Sequence, residues 1–253
     1  MDLNIKELQK IATEMLKEVT RICEENKLPY VAMFGSLIGA IRHHGPIPWD
    51  YDIDIAIPEY SLDNFLDVMS KHLSSKYFIE YRNKSEHLTF PRIGLTGYKT
   101  DILHIDVYRI VGYPENERDI KRIFKMRSYT HRLIELKYKP LNAVSEKKKI
   151  LATIIKPILP FISTTYLLSL FDKYSGETNY LSAKHVACGI NGIDLVARED
   201  FDDTILVPYV DFYIRVPSNY DKILRQMYGD YLKYPPVQER QAGIEALYKV
   251  DKA

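Results

Sequence analysis

Apolar side chains recur every three or four positions at Leu8, Ile11, Met15, Val19 and Ile22, which predicts a helix with one buried face, closed by Pro29. Tyr30 to Phe34 is a short apolar run, after which Gly35-Ser36 turns the chain into LIGAIR, giving strand, tight turn and helix. From Asp52 the pattern DIDIAIP alternates strictly, so Asp52 and Asp54 share one face of a strand while Ile53 and Ile55 face a core. Helical spacing returns at Leu62, Phe65, Leu66, Met69 and Leu73. Strand-like stretches then follow at Tyr77 to Tyr81, Leu88 to Ile93 and Ile102 to Tyr108. Strands and helices mixed in this way predict an α/β fold.

Past Pro114 the pattern is mainly helical. A charged amphipathic helix is expected over 117–139, and 147–174 joins a lysine run to an apolar stretch broken by Pro157 and Pro160. Short strands are expected at Thr204 to Val207 and Phe212 to Val216, then a helix from Tyr220 to Tyr228 that Gly229 ends. The chain thus divides into an α/β core over 1–115 and a mainly helical portion over 116–253, whose late strands at 204–216 are able to rejoin the first sheet.

Composition narrows the functional classes. With 46% apolar residues in 253, the chain can bury a sizeable core. Its 35 basic and 34 acidic residues leave a formal charge of +1, so no global field marks a nucleic-acid binder and no nucleic-acid partner is expected. Cys23 and Cys188 lie far apart and form neither a disulfide framework nor a CxxC motif, which fits a reducing, cytoplasmic environment. No secretory leader or membrane-spanning run is read in the sequence. The lysines at 147–149 and the apolar residues behind them fit peripheral contact through 147–174 at the inner face of the cytoplasmic membrane. A buried helix pair is the alternative reading of the same segment.

The chemistry concentrates in FGSLIGAIRHHGPIPWDYDID. Gly35 permits close backbone approach, and Ser36 opens a helix whose free N–H groups favour a phosphate. Two carboxylates on one strand face, about 7 Å apart by strand rise, can share hard divalent cations such as magnesium. Asp106, in the apolar strand HIDVYRI, is costly to bury unpaired, and a neighbouring strand could set it beside the pair; a salt bridge to a base is its other reading. Three carboxylates can hold the metals that clamp an in-line phosphoryl transfer. Trp49 either packs under the turn or stacks on a base.

The Gly-Ser turn, the acidic-apolar-acidic strand and the later acidic strand residue resemble the nucleotidyltransferase superfamily. The run GSLIGAIRHHGPIPWDYDIDIAIP is similar, more specifically, to the LicD family of bacterial cholinephosphotransferases, which fukutin and fukutin-related protein also resemble. A second match, FYIRVPSNYDKILRQMYGDYLKYPP, is similar to the family's closing segment. The chain departs from the family pattern in three places. Tyr51 separates Asp50 from Asp52 where a third acid is common, Ser36 replaces threonine, and His44 stands where relatives often carry lysine.

The resemblance implies a nucleotidyltransferase-like mixed sheet flanked by helices, with a mostly helical C-terminal portion. It implies metal binding at Asp52, Asp54 and Asp106, with magnesium or manganese as the ion, and Asp106 as ligand or proton acceptor. Gly35, Ser36 and Arg42 would meet the donor phosphates, and Asp50 would support the site. The implied donor is a CDP-alcohol, most simply CDP-choline, with CDP-ribitol and CDP-glycerol left open. The implied acceptor is a sugar hydroxyl of a glycan or glycolipid, with CMP released. Two other readings stay open: nucleotide transfer with pyrophosphate release, and an inactive nucleotide-binding module.

Overall fold

A computed structural model describes residues 5–82, 87–98, 103–141, 146–175, 177–190, 192–238 and 240, with backbone alone at 146–148. The first helix, α1 (Ile5–Glu25), buries Leu8, Met15, Leu16, Val19 and Ile22, and Lys27 closes it in a left-handed conformation (φ 54°). The amide of Leu28 donates to the Cys23 carbonyl at 2.8 Å and that of Lys27 to Glu24 at 3.3 Å, so the terminal carbonyls find partners before Pro29 redirects the chain.

The chain continues through β1 (Val31–Ala32), the short helix α2 (Phe34–Ile38) with a wide turn over Gly39–His43, and β2 (Ile53–Pro58). Next come α3 (Leu62–His72), β3 (Tyr77–Glu80), β4 (Arg92–Leu95) and β5 (His104–Tyr113). Of the expected strands, the one at Leu88 to Ile93 lies further on, at β4, because Pro91 lacks the N–H that a strand interior needs. The rest of the chain forms α4 (Glu117–Tyr138), α5 (Glu146–Ile155), α6 (Thr164–Ser175), β6 (His185–Ala187) and β7 (Val196–Ala197). A short α7 (Glu199–Asp202), the hairpin β8 (Thr204–Tyr209) and β9 (Phe212–Pro217), and α8 (Tyr220–Tyr228) complete it. Asn116 caps α4 by accepting from the Arg118 amide at 2.8 Å.

The fold is α/β, a mixed sheet flanked by helices. The sheet runs β1-β2-β5-β4-β3, and β6 and β7 extend it from the far end of β5. Among the described residues only β2 and β5 pair in parallel, in a register that matches Ile53 with Ile105, Asp54 with Asp106 and Ile55 with Val107. Parallel partners in register point to the same face. Ile53, Ile55, Ile105 and Val107 are therefore buried together in one core with the apolar stripes of α1 and α3, while the two aspartates share the opposite face. Each such large side chain contributes up to about 1.5–3 kcal/mol on burial.

The same core takes in Phe201, Tyr209, Ile214, Val216, Ile223 and Tyr231, so it draws on both sides of residue 115. The hairpin β8–β9 is a separate two-stranded sheet that packs on β1 rather than joining the main one. The short strands β6 and β7, absent from the sequence reading, are the ones that extend the main sheet. Helices α4 and α6 pack together around Ile134, Leu167, Leu168 and Phe171. Among the described residues no helix is long and apolar enough to cross a membrane.

Candidate active site

The site forms where the turn after β1 meets the first residues of β2 and β5. Phe34 enters that turn with φ 51°, a left-handed conformation costing about 1 kcal/mol in a residue other than glycine, and its ring packs edge-on to Tyr108 at 4.9 Å. Ser36 is buried, and its Oγ accepts the Asp54 amide at 2.8 Å. The hydroxyl expected at a donor phosphate thus ties α2 to the acidic strand. Gly35 lies under Asp50: a Cβ there would come 2.8 Å from Asp50 Oδ2.

The loop from residue 44 to 52 is held at several points. Gln9 of α1 donates to the Ile47 and Asp50 carbonyls at 2.8 and 2.6 Å, and the Val210 amide, in the turn of the late hairpin, donates to His44 at 2.7 Å. Gly39 is required by close approach, since a Cβ on it would meet the Gly45 carbonyl oxygen at 2.5 Å. Asp52 precedes β2 by one residue, and its amide donates to Asp50 Oδ1 at 3.3 Å.

Four carboxylates gather here. Burial raises the Asp54 carboxyl well above its ordinary value, and the charges of Asp106, Asp52 and Asp50 push it further. Asp52 is raised by burial and by Asp50, with Asp106 adding to both while His104 and Arg92 oppose. Asp50 is raised by burial, partly offset by hydrogen bonds from the backbone at 52 and 51. Asp106 differs because Arg92 stands beside it: its Oδ1 accepts from Arg92 Nε at 2.9 Å and lies 3.2 Å from His104 Nε2. The salt bridge and the place beside Asp54 are both present, so the two readings of Asp106 are compatible.

Among the described residues no group of three or more histidine, cysteine, aspartate or glutamate side chains converges as a ready-made metal cluster. The oxygen-rich donor set nonetheless has the chemistry of a hard divalent cation site, because its mutual repulsion is what such an ion relieves. A carboxylate has lone pairs for more than one partner, so Arg92 and His104 do not exhaust Asp106.

Arg42 is placed by contacts the sequence did not disclose. Its Nη1 donates to the Tyr231 carbonyl at 2.6 Å, its Nε to His43 Nε2 at 2.9 Å, and its guanidinium lies 4.9 Å from the Tyr234 ring. Burial and Arg42 lower the His43 pKa, which keeps the imidazole neutral and able to accept. Trp49 packs against Tyr234 at 5.8 Å, and Arg240 stacks over both rings. The two sequence blocks singled out for their resemblance therefore lock together through Arg42, Trp49 and Tyr234.

Three residues near the carboxylates are given no site role by the sequence. Arg92 and His104 flank Asp106, and the pairing of Arg92 with Asp106 across β4 and β5 was legible only once the register was known. Tyr228, at the end of α8, has its phenol pushed up by burial and then by the charges of Asp54, Asp194, Cys188 and Asp50, so it remains a protonated O–H donor. Its motif, YGDY, was the available signal.

Residues 27–147 match the family described as LicD/FKTN/FKRP, nucleotidyltransferase domain. The chain is also similar to the lipopolysaccharide cholinephosphotransferase LicD of Haemophilus influenzae, 27% identical over 265 residues that cover 94% of this chain and 95% of the relative. A shorter likeness, 29% over 68 residues, joins 27% of the chain to 22% of an uncharacterized protein of Rickettsia typhi.

Proposed function

The chain belongs to the LicD family, a cholinephosphotransferase type, and from that premise we propose that it moves phosphocholine from CDP-choline to a sugar hydroxyl of a glycan or glycolipid, releasing CMP. The observation that carries this reading is the parallel register of Asp54 with Asp106, which aligns two carboxylates beside Asp52 at one end of the sheet. Asp52, Asp54 and Asp106 would hold magnesium, which when bound supplies charge neutralisation on the donor phosphates and a lowered pKa at the acceptor hydroxyl.

The chain's own residues do the rest. Arg92 and His104 orient Asp106, which would take the acceptor proton. Ser36 fixes the backbone at Asp54 and so the position from which its carboxylate projects. Gly35 leaves the turn without a side chain where a diphosphate would approach. Tyr228 would donate its O–H to a phosphate oxygen of the donor.

The test is a mass-spectrometric screen of CDP-choline, CDP-ribitol, CDP-glycerol and the nucleoside triphosphates, each with magnesium. CMP released from a CDP-alcohol, and lost in Asp54→Asn, supports the proposal. Pyrophosphate released from a triphosphate and coupled to a nucleotide-modified acceptor would replace it with nucleotidyl transfer.

A further inference from the structure

Helix α5 and the turn that follows it carry an apolar surface turned the wrong way for a core. Ala152 is buried, whereas Ile150, Leu151 and Ile154 are 79%, 62% and 64% exposed, so the small side chain faces inward and the large ones outward. This inverts the usual arrangement of an amphipathic helix. The surface resumes at Ile158 and Phe161, on either side of buried Leu159, with Phe161 at 89% the most exposed of these residues, and at Tyr166 in the first turn of α6. Helix α6 itself behaves ordinarily, burying Leu167, Leu168 and Phe171 against α4.

The outward face is held in place from behind. Lys137 Nζ donates to the Ile162 carbonyl at 2.6 Å and to Thr164 Oγ1 at 2.9 Å, and Lys156 Nζ donates to the carbonyls of Leu136, at 2.9 Å, and Lys139. Lysine stems and ammonium groups thus pin the segment to the end of α4. Charge narrows the choice of partner. Between Glu146 and Asp172 the sequence contains Lys147, Lys148, Lys149 and Lys156 and no acidic residue. An exposed apolar face within an acid-free, lysine-bearing segment is complementary to a surface that is apolar beneath and anionic above.

We propose that this face docks the protein on a bilayer containing anionic lipid, with Ile150, Ile154, Ile158 and Phe161 entering the interface and the lysine run at 147–149 meeting the headgroups. The segment lies on the membrane: α5 spans Glu146–Ile155, far short of a bilayer crossing.

The docking proposal stands on this exposed surface, independent of the phosphotransfer reading, and binding is measured without turnover. The full chain is co-sedimented with phosphatidylcholine vesicles with and without phosphatidylglycerol, alongside Ile154→Ser/Phe161→Ser and Lys147→Glu/Lys148→Glu. Binding to the anionic vesicles, reduced on the order of tenfold in each variant and weakened by salt, is expected. Because Ile154 and Phe161 are exposed, the serine variant should melt like the parent. Absence of binding, binding indifferent to both variants, or a dimer in sedimentation velocity that the serine variant dissociates without any vesicle binding would each overturn it.

Discussion

The Asp50 carboxylate occupies the space that a side chain at residue 35 would need, with only 2.8 Å separating its Oδ2 from a Cβ built on Gly35. Gly35→Ala should therefore displace Asp50 and, with it, the Oδ1 that receives the Asp52 amide. The expected result is a loss of activity of roughly tenfold or more with about 1 kcal/mol of destabilisation, as for a modest overpacking change. Asp50→Ala removes the obstacle, so the double variant should show less than additive loss in a mutant cycle. Additive loss would separate the two residues.

Asp54 and Asp106 are register partners with unlike surroundings, so their amide variants should differ. Asp54 faces other carboxylates, whereas Asp106 Oδ1 is bonded to Arg92 and His104. In chelator, Asp54→Asn is expected to keep or raise the melting temperature, while Asp106→Asn lowers it. Both should lose turnover by roughly a hundredfold or more if they hold the metal. Added magnesium should raise the melting temperature of the parent and fail to do so in Asp54→Asn. Equal thermal behaviour of the two variants would contradict the asymmetry.

Asp172 ties α6 to Arg82, just past β3, and Arg109 of β5, accepting from Arg82 Nη2 at 2.7 Å and Arg109 Nη2 at 2.9 Å. Burial pushes its carboxyl up, but the Arg82 hydrogen bond and the charges of Arg109 and Arg82 outweigh that and hold it below the ordinary value. A depressed pKa contributes stability that is present above the unfolded value and is lost as pH falls through the folded one. The parent should lose melting temperature from about pH 5 to about pH 3, and Asp172→Asn should be less stable at neutral pH by roughly 1–3 kcal/mol and flatter over that acid range. Parallel pH profiles for the two proteins would refute this role.

Arg42 has two possible duties that can be told apart. If its bonds to the Tyr231 carbonyl and the Tyr234 ring dominate, Arg42→Ala should lower stability by about 1–3 kcal/mol and open the segment around 231–240 to proteolysis. Arg42→Lys should not rescue it, because a lysine cannot both stack and fork. A raised KM for the donor with unchanged melting and proteolysis would instead place Arg42 on the phosphates.

How far the sequence led depended on the range of each interaction. The helices at Ile5–Glu25 and Tyr220–Tyr228 and the hairpin strands at 204–209 and 212–217 were legible because their periodicity and terminators are local. The DID alternation likewise announced two carboxylates on one side, although β2 begins only at Ile53. The parallel partnership of Asp54 with Asp106 spans a helix and two strands, and nothing in the local pattern fixes such a register. The same holds for β6 and β7, too short to show alternation, and for Arg42, whose partners lie at Tyr231 and Tyr234. Outward-facing Ile150, Leu151 and Ile154 could not be told from a buried helix by composition, since only the fold says which side α4 covers.

Tyr228 joins the end of the chain to its beginning. Helix α8 brings it to α2, and its phenol responds to Asp54 and Asp50 across more than a hundred and seventy residues of sequence. Gly229 follows at φ 68°, a left-handed conformation that ends the helix with Tyr228 in its last turn. A protonated phenol near a carboxylate cluster can contribute in two ways, by bonding a carboxylate or by donating to a phosphate oxygen as charge develops there. The first would be structural, and Tyr228→Phe would then shift the melting temperature with little effect on rate. The second acts most strongly in the transition state, so Tyr228→Phe should lower kcat by roughly tenfold to a hundredfold with KM nearly constant and the melting temperature preserved. The half-open setting of Tyr228, 44% exposed, favours the second outcome, because a purely structural tyrosine has little reason to stay open to solvent. A rise in KM alone would instead assign Tyr228 to ground-state binding of the donor.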